Sequence, residues 1–143
     1  MKTHPRRVDR RLLCALIAGL MATTYAPGPS LAAGADTRHA KTVTVHITEY
    51  MFSPDRLTFQ RGVLYRLRLV NQGKEIHEFT APDFIAAIDL KNPSALGPYT
   101  NQFAVDPGKT KDVFFIPLKP GRYNLVCADH DWAGMTGEIV ITP

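Results

Sequence analysis

Cysteine is almost absent from this chain: there are two in 143 residues, Cys14 and Cys127. Cys14 lies in the apolar part of an N-terminal leader and is expected to leave with it, so no disulfide within the remaining chain can staple the fold. A single thiol left in an oxidising compartment is buried and inert, paired with another chain, or held by a metal. Long apolar runs are lacking as well. The stretch from Leu12 to Ala22 is shorter than the roughly 20 residues of a spanning helix. It is also followed by Thr23, Thr24, Pro27 and Pro29, and no later segment is apolar enough to span. Helical periodicity is scarce, and neither an internal repeat nor a low-complexity segment is visible after the leader.

The leader itself has a recognisable layout. Arg6, Arg7, Arg10 and Arg11 form a basic head, Leu12 to Ala22 an apolar middle, and Ser30-Leu31-Ala32 offers small residues where a signal peptidase reads. Residues 1–32 are therefore read as a secretory signal peptide, which predicts a periplasmic or otherwise exported protein that does not span the membrane after cleavage. The arginine pairs leave both the Sec and the Tat route open. Cleavage changes the charge. Of 17 Lys and Arg and 13 Asp and Glu, the leader holds five and one, so the mature chain has 12 of each sign and no net charge. A basic patch with interleaved aromatics is missing, which argues against a nucleic-acid partner.

Residues 33–40 are small and polar and read as a flexible lead-in. One domain is expected over 41–143. Lys41 to Thr48 alternates strictly, with Val43, Val45 and Ile47 on one side, as a half-buried strand does. Leu57 and Phe59 suggest a short strand before Gly62. Leu64 to Val70 alternates again, Ile76 to Thr80 reads as a strand, and Val113 with Phe115 marks another. Tyr123, Leu125 and Cys127 share one face of the next, and Gly137 to Thr142 forms the last. Turns fall at Ser53-Pro54-Asp55, Asn71-Gln72-Gly73, Asp106-Pro107-Gly108 and Lys119-Pro120-Gly121. Residues 81–102 are ambiguous, with a short helix expected over Phe84 to Ile88. Met51 is assigned to the core. Short strands between turn clusters predict an all-β sandwich or barrel.

The chemistry is concentrated in Cys127-Ala128-Asp129-His130-Asp131-Trp132-Ala133-Gly134-Met135. A thiolate, an imidazole and a thioether follow directly on a strand, and these are the soft and borderline ligands copper prefers. Two His, one Cys and a weak axial Met make up blue-copper electron-transfer sites. Cys127 as an inert core thiol and Met135 as simple packing are the plain alternatives. Zinc is disfavoured, because its structural sites take several cysteines or histidines. The second imidazole must come from elsewhere. His39 lies in the lead-in and His46 on the polar face of the first strand. His77 lies where a loop runs into a strand, a suitable place to project a ligand. Trp132 is expected to be a partly exposed loop residue over the site.

Asn71…His77, then Cys127-x2-His130-x4-Met135, then a glycine-containing final strand resemble the cupredoxin family, the group of plastocyanin, pseudoazurin and azurin. Phe52-Ser53-Pro54 adds a likeness to exported cupredoxin-like domains. The resemblance runs over about residues 42–142 and implies a Greek-key β-sandwich of about seven to eight strands with copper at one end. It implies one type 1 copper held by the imidazoles of His77 and His130, the thiolate of Cys127 and, axially, Met135. A one-electron carrier follows, passing electrons between exported or membrane-bound partners such as a cytochrome or copper enzyme. The alternative is a periplasmic metal-handling protein, a copper carrier or an accessory to a copper or iron transporter. An enzyme is not expected, since oxidases and nitrite reductases of this lineage need further histidines, and a monomer is. Two departures from the family stand out: Glu78 replaces the usual Asn after the first histidine, and Asp129 and Asp131 flank His130. Convergence of these three acids on the site would favour Cu(II) and lower the reduction potential.

Overall fold

The computed structural model describes residues 37–143. The expected signal peptide, 1–32, and the first half of the lead-in lie outside the described residues. Thr37–His39 of the lead-in form a single 3-10 turn. Among the described residues no helix is long and apolar enough to cross a membrane.

Among the described residues ten strands build two five-stranded sheets. β1 (Lys41–Thr48), β2 (Met51–Ser53), β4 (Tyr65–Asn71), β6 (Ile88–Leu90) and β8 (Thr110–Pro117) make one, in the order β2-β1-β4-β8-β6. The other has β3 (Arg56–Gln60), β5 (His77–Thr80), β7 (Gln102–Val105), β9 (Gly121–Val126) and β10 (Thr136–Thr142), in the order β3-β10-β9-β5-β7. Strands β1 and β4 run parallel, as do β3 and β10, while the other pairings are antiparallel. Sequence neighbours thus often lie in different sheets, as a Greek-key sandwich requires. The strand count exceeds the expected seven to eight because β6 and β7 form within and at the end of the segment 81–102, ambiguous in sequence, and because β2 separates from β1. Pro82–Ile85 form one turn of helix, slightly ahead of the expected Phe84 to Ile88.

Alternation explains which side chains enter the core. Along β4 Tyr65, Leu67 and Leu69 are buried while Arg66 and Arg68 lie half out. In β10 of the other sheet, Ile139 and Ile141 enter the same core. Phe59 is the hub, with ring centroids 4.9 Å from Tyr65, 5.8 Å from Phe84 and 5.1 Å from Phe115. Met51 is not a core residue. It is 55% exposed, and its neighbour Phe52 is the one buried, because alternate residues of a strand point to opposite faces. Gly137 serves a close approach, since a Cβ there would collide with the Asp55 carbonyl, whose oxygen accepts from Glu138 N–H at 2.8 Å. That contact seats β10 against β3.

This packing makes Phe59→Ala costly: the variant should lose about 3–5 kcal/mol of unfolding free energy. Denaturant unfolding checks it, and a loss below about 1 kcal/mol would contradict the central position given to this ring.

Candidate metal centre

One end of the sandwich brings three separated side chains together. His77 is the first residue of β5, an interior strand of its sheet between β7 and β9. Cys127 follows the last residue of β9, and His130 sits in the loop before β10. The loop is closed by its own backbone. Cys127 N–H donates to the Met135 carbonyl at 3.0 Å, His130 N–H to the Cys127 carbonyl at 3.1 Å, and Met135 N–H to the His130 carbonyl at 3.3 Å. Asp131–Ala133 form a 3-10 turn that ends at Gly134, whose φ of 83° lies in the left-handed region that glycine tolerates. Both ends of the loop are therefore pinned, and its middle must fold over the strand ends.

The upstream half is organised by Asn71, a buried amide. Its Nδ2 donates to the carbonyls of Glu75 and Val105, each at 2.8 Å, and its Oδ1 accepts from Gly73 N–H at 2.8 Å. These bonds set the 71–76 loop and so the entry of His77 into β5. Gly73 is needed for its lack of a side chain: a Cβ would stand 2.7 Å from Glu49 Oε1 and 3.1 Å from His77 Nε2.

His77, Cys127 and His130 are all buried, and one ligand atom from each lies within 4.8 Å of the other two. Cys127 Sγ is 3.8 Å from His77 Nδ1 and 3.3 Å from His130 Nδ1. His77 Nε2 is buried with no hydrogen-bond partner. Met135 closes the loop as a fully buried side chain. His46 lies exposed on β1 and outside this group, and among the described residues no other group of this kind occurs.

The acids are distributed differently from the sequence expectation. Glu78 is buried, and its carboxylate Oε2 accepts from the Cys127 thiol at 3.1 Å, while its own backbone N–H donates to Sγ at 3.4 Å. Asp129 and Asp131 are exposed, and their backbones are engaged: the Asp129 carbonyl accepts from the Trp132 indole at 2.9 Å and the Asp131 carbonyl from Gly134 N–H at 2.9 Å. The carboxylate on His130 is instead that of Glu75, with Oε2 2.9 Å from Nε2. Sequence reasoning missed Glu75 and also Tyr50, whose ring lies 5.2 Å from His130 and 5.8 Å from Trp132. Tyr50 has a φ of 66°, unusual for a residue with a side chain, and that was not readable from composition. Trp132 is 76% exposed, more open than expected.

Burial pushes the Cys127 thiol up to about 11, opposed by the Glu78 N–H and reinforced by the Glu78 carboxylate. His77 is held below the ordinary imidazole value, first by burial and then by the neighbouring charge of His130, with Glu49, Glu78 and Glu75 pulling the other way.

The model of the cupredoxin-like domain family matches residues 12–141. Auracyanin B is similar to this chain at 26% identity over 73% of it and 90% of auracyanin B, with a TM-score of 0.54. Dithionite-reduced auracyanin from Roseiflexus castenholzii shares the fold at 18% identity, covering 73% and 98% of the two chains, with a TM-score of 0.55. A multicopper oxidase from Campylobacter jejuni shares it at 11% identity and a TM-score of 0.55, over 30% of that longer protein. No curated relative matched.

The lowered His77 value has a sign. The unfolded chain takes up the proton first, so stability is full above the ordinary value of 6.5 and is lost as the pH falls through the window below it. The metal-free protein should lose more of its urea midpoint between pH 7.5 and 5.5 than His77→Gln does. Equal losses would contradict the burial argument.

Proposed function

The chain belongs to the cupredoxin-like domain family, and on that footing we propose that it is a one-copper electron carrier whose ligands are His77, Cys127, His130 and Met135. The observation that carries this reading is the meeting of two imidazole Nδ1 atoms and one thiol sulfur at a single buried point. Two imidazole nitrogens and one thiolate fit copper by donor type, and Met135, buried in the same loop, would supply the thioether. Copper bound there would supply a single-electron couple.

What the chain contributes is restraint. The ligands stand on strand ends and on a loop closed by its own hydrogen bonds, so their positions need not change when one electron arrives or leaves. Glu78 N–H donates to the sulfur and offsets part of a thiolate's charge. At neutral pH a thiol raised to about 11 keeps its proton, so metal uptake must release it. His130 reaches nearest the surface, 8% exposed under Tyr50 and beside Glu75. This face is where a redox partner, such as a cytochrome or copper enzyme, would approach. Coordination supplied wholly by the protein leaves no open position for a substrate, which favours a carrier over an enzyme. Residues 1–32 are proposed to direct export and to be removed.

Aerobic loading of the purified protein with copper should give an intense visible thiolate-to-copper band and a reversible one-electron couple. Cys127→Ser should abolish the band, while Met135→Leu should keep it. A colourless protein that takes only Cu(I) and passes it to an acceptor would contradict the carrier reading and favour metal delivery.

A further inference from the structure

The structure assigns Glu75 as the positioning residue for His130: its carboxylate holds the imidazole so that Nδ1 faces the sulfur, and its charge lowers the potential of the centre. The first step is stereochemical. Glu75 Oε2 lies 2.9 Å from His130 Nε2. An ionised carboxylate only accepts, so a neutral imidazole must carry its proton on Nε2, which leaves the Nδ1 lone pair on the side of Cys127 Sγ, 3.3 Å away. A ring flip would lose this bond and turn carbon towards the sulfur.

The contact is built rather than incidental. Glu75 has a side chain 54% exposed, which alone would argue for a mobile surface acid. Its main chain, however, is tied to the core: its carbonyl accepts from Asn71 Nδ2, and the same amide holds Val105. The Tyr50 ring packs 5.2 Å from the imidazole, tilted by 59°. The ring of His130 is thus held by a tilted aromatic contact and by an acid whose carbonyl is hydrogen-bonded to the buried Asn71.

The third step is electrostatic. A carboxylate on the far nitrogen of a metal-binding imidazole raises that ligand's basicity, as outer partners of metal-bound histidines do. The added negative charge favours the more highly charged Cu(II), which moves the potential down. Exposure of Glu75 weakens the effect, so a change of about tenfold in the Cu(II)/Cu(I) preference is its scale, equal to about 59 mV for one electron.

This assignment rests on the copper reading above, and the test separates the two. Glu75→Gln keeps an acceptor but removes the charge, whereas Glu75→Ala removes both. NMR of the metal-free protein at pH 8 should show a protected His130 Nε2–H in the native chain and in Glu75→Gln, and its loss in Glu75→Ala. Copper-loaded protein should show the Cu(II)/Cu(I) preference falling about tenfold in Glu75→Ala and several-fold in Glu75→Gln. An unchanged potential in both variants, or a native His130 proton found on Nδ1, would overturn the assignment. Were the native protein to take up copper without a thiolate band, the copper reading would fall, and the metal-free spectra would still decide the placement of Glu75.

Discussion

The structure depends on one junction, where β5 and the loop after β9 meet at the sulfur of Cys127. Glu78 N–H donates to Sγ from the strand that carries His77, and His130 N–H donates to the Cys127 carbonyl from the loop. The two imidazoles then face the same atom. Buried groups of this kind are stable only when their hydrogen bonds are accounted for. Here backbone groups supply part of that accounting, the Glu78 and Glu75 carboxylates supply more, and His77 Nε2 is left without a partner. The core beneath, with Phe59 as its hub, holds the two sheets in a fixed relation so that the junction does not spread.

Charge is arranged around this point with a bias. The sulfur lies between a backbone donor and the Glu78 carboxylate, and burial adds to the carboxylate's effect in keeping the thiol protonated. His77 is likewise disfavoured as a cation, chiefly by burial. A cation entering the site would find one removable thiol proton, two imidazoles and nearby negative charge from Glu75, Glu78 and Glu49. The exposed Asp129 and Asp131 are screened by solvent and matter less than their place in the sequence suggests. The acids that count are those whose carboxylates reach the cluster, Glu75 at His130 and Glu78 at Cys127.

Much of this was legible in the chain, and the misses have physical reasons. Strict alternation in β1 and β4 identified their inward faces, because a period of two is a property of the pleat itself. Cys127, His130 and Met135 share one loop, so their proximity followed from short spacing, and the loop before β5 marked His77. Segments β6 and β7 were not read, since three or four residues between Pro- and Asn-rich turns carry too little periodicity. Met51 was placed inside because an apolar residue near a strand end looks like core, but the register sends Phe52 inward. The pairing of Glu75 with His130 spans 55 positions and follows no local pattern, so only the folded chain reveals it.

The central claim is that His77, Cys127 and His130 bind one copper ion together. X-ray absorption of the copper-loaded protein tests it most directly, because it counts the atoms around the metal without assuming a colour or a partner. One short sulfur contact and two imidazoles in the first shell are the predicted result. A shell of nitrogen and oxygen alone, with no sulfur at bonding distance, would contradict it.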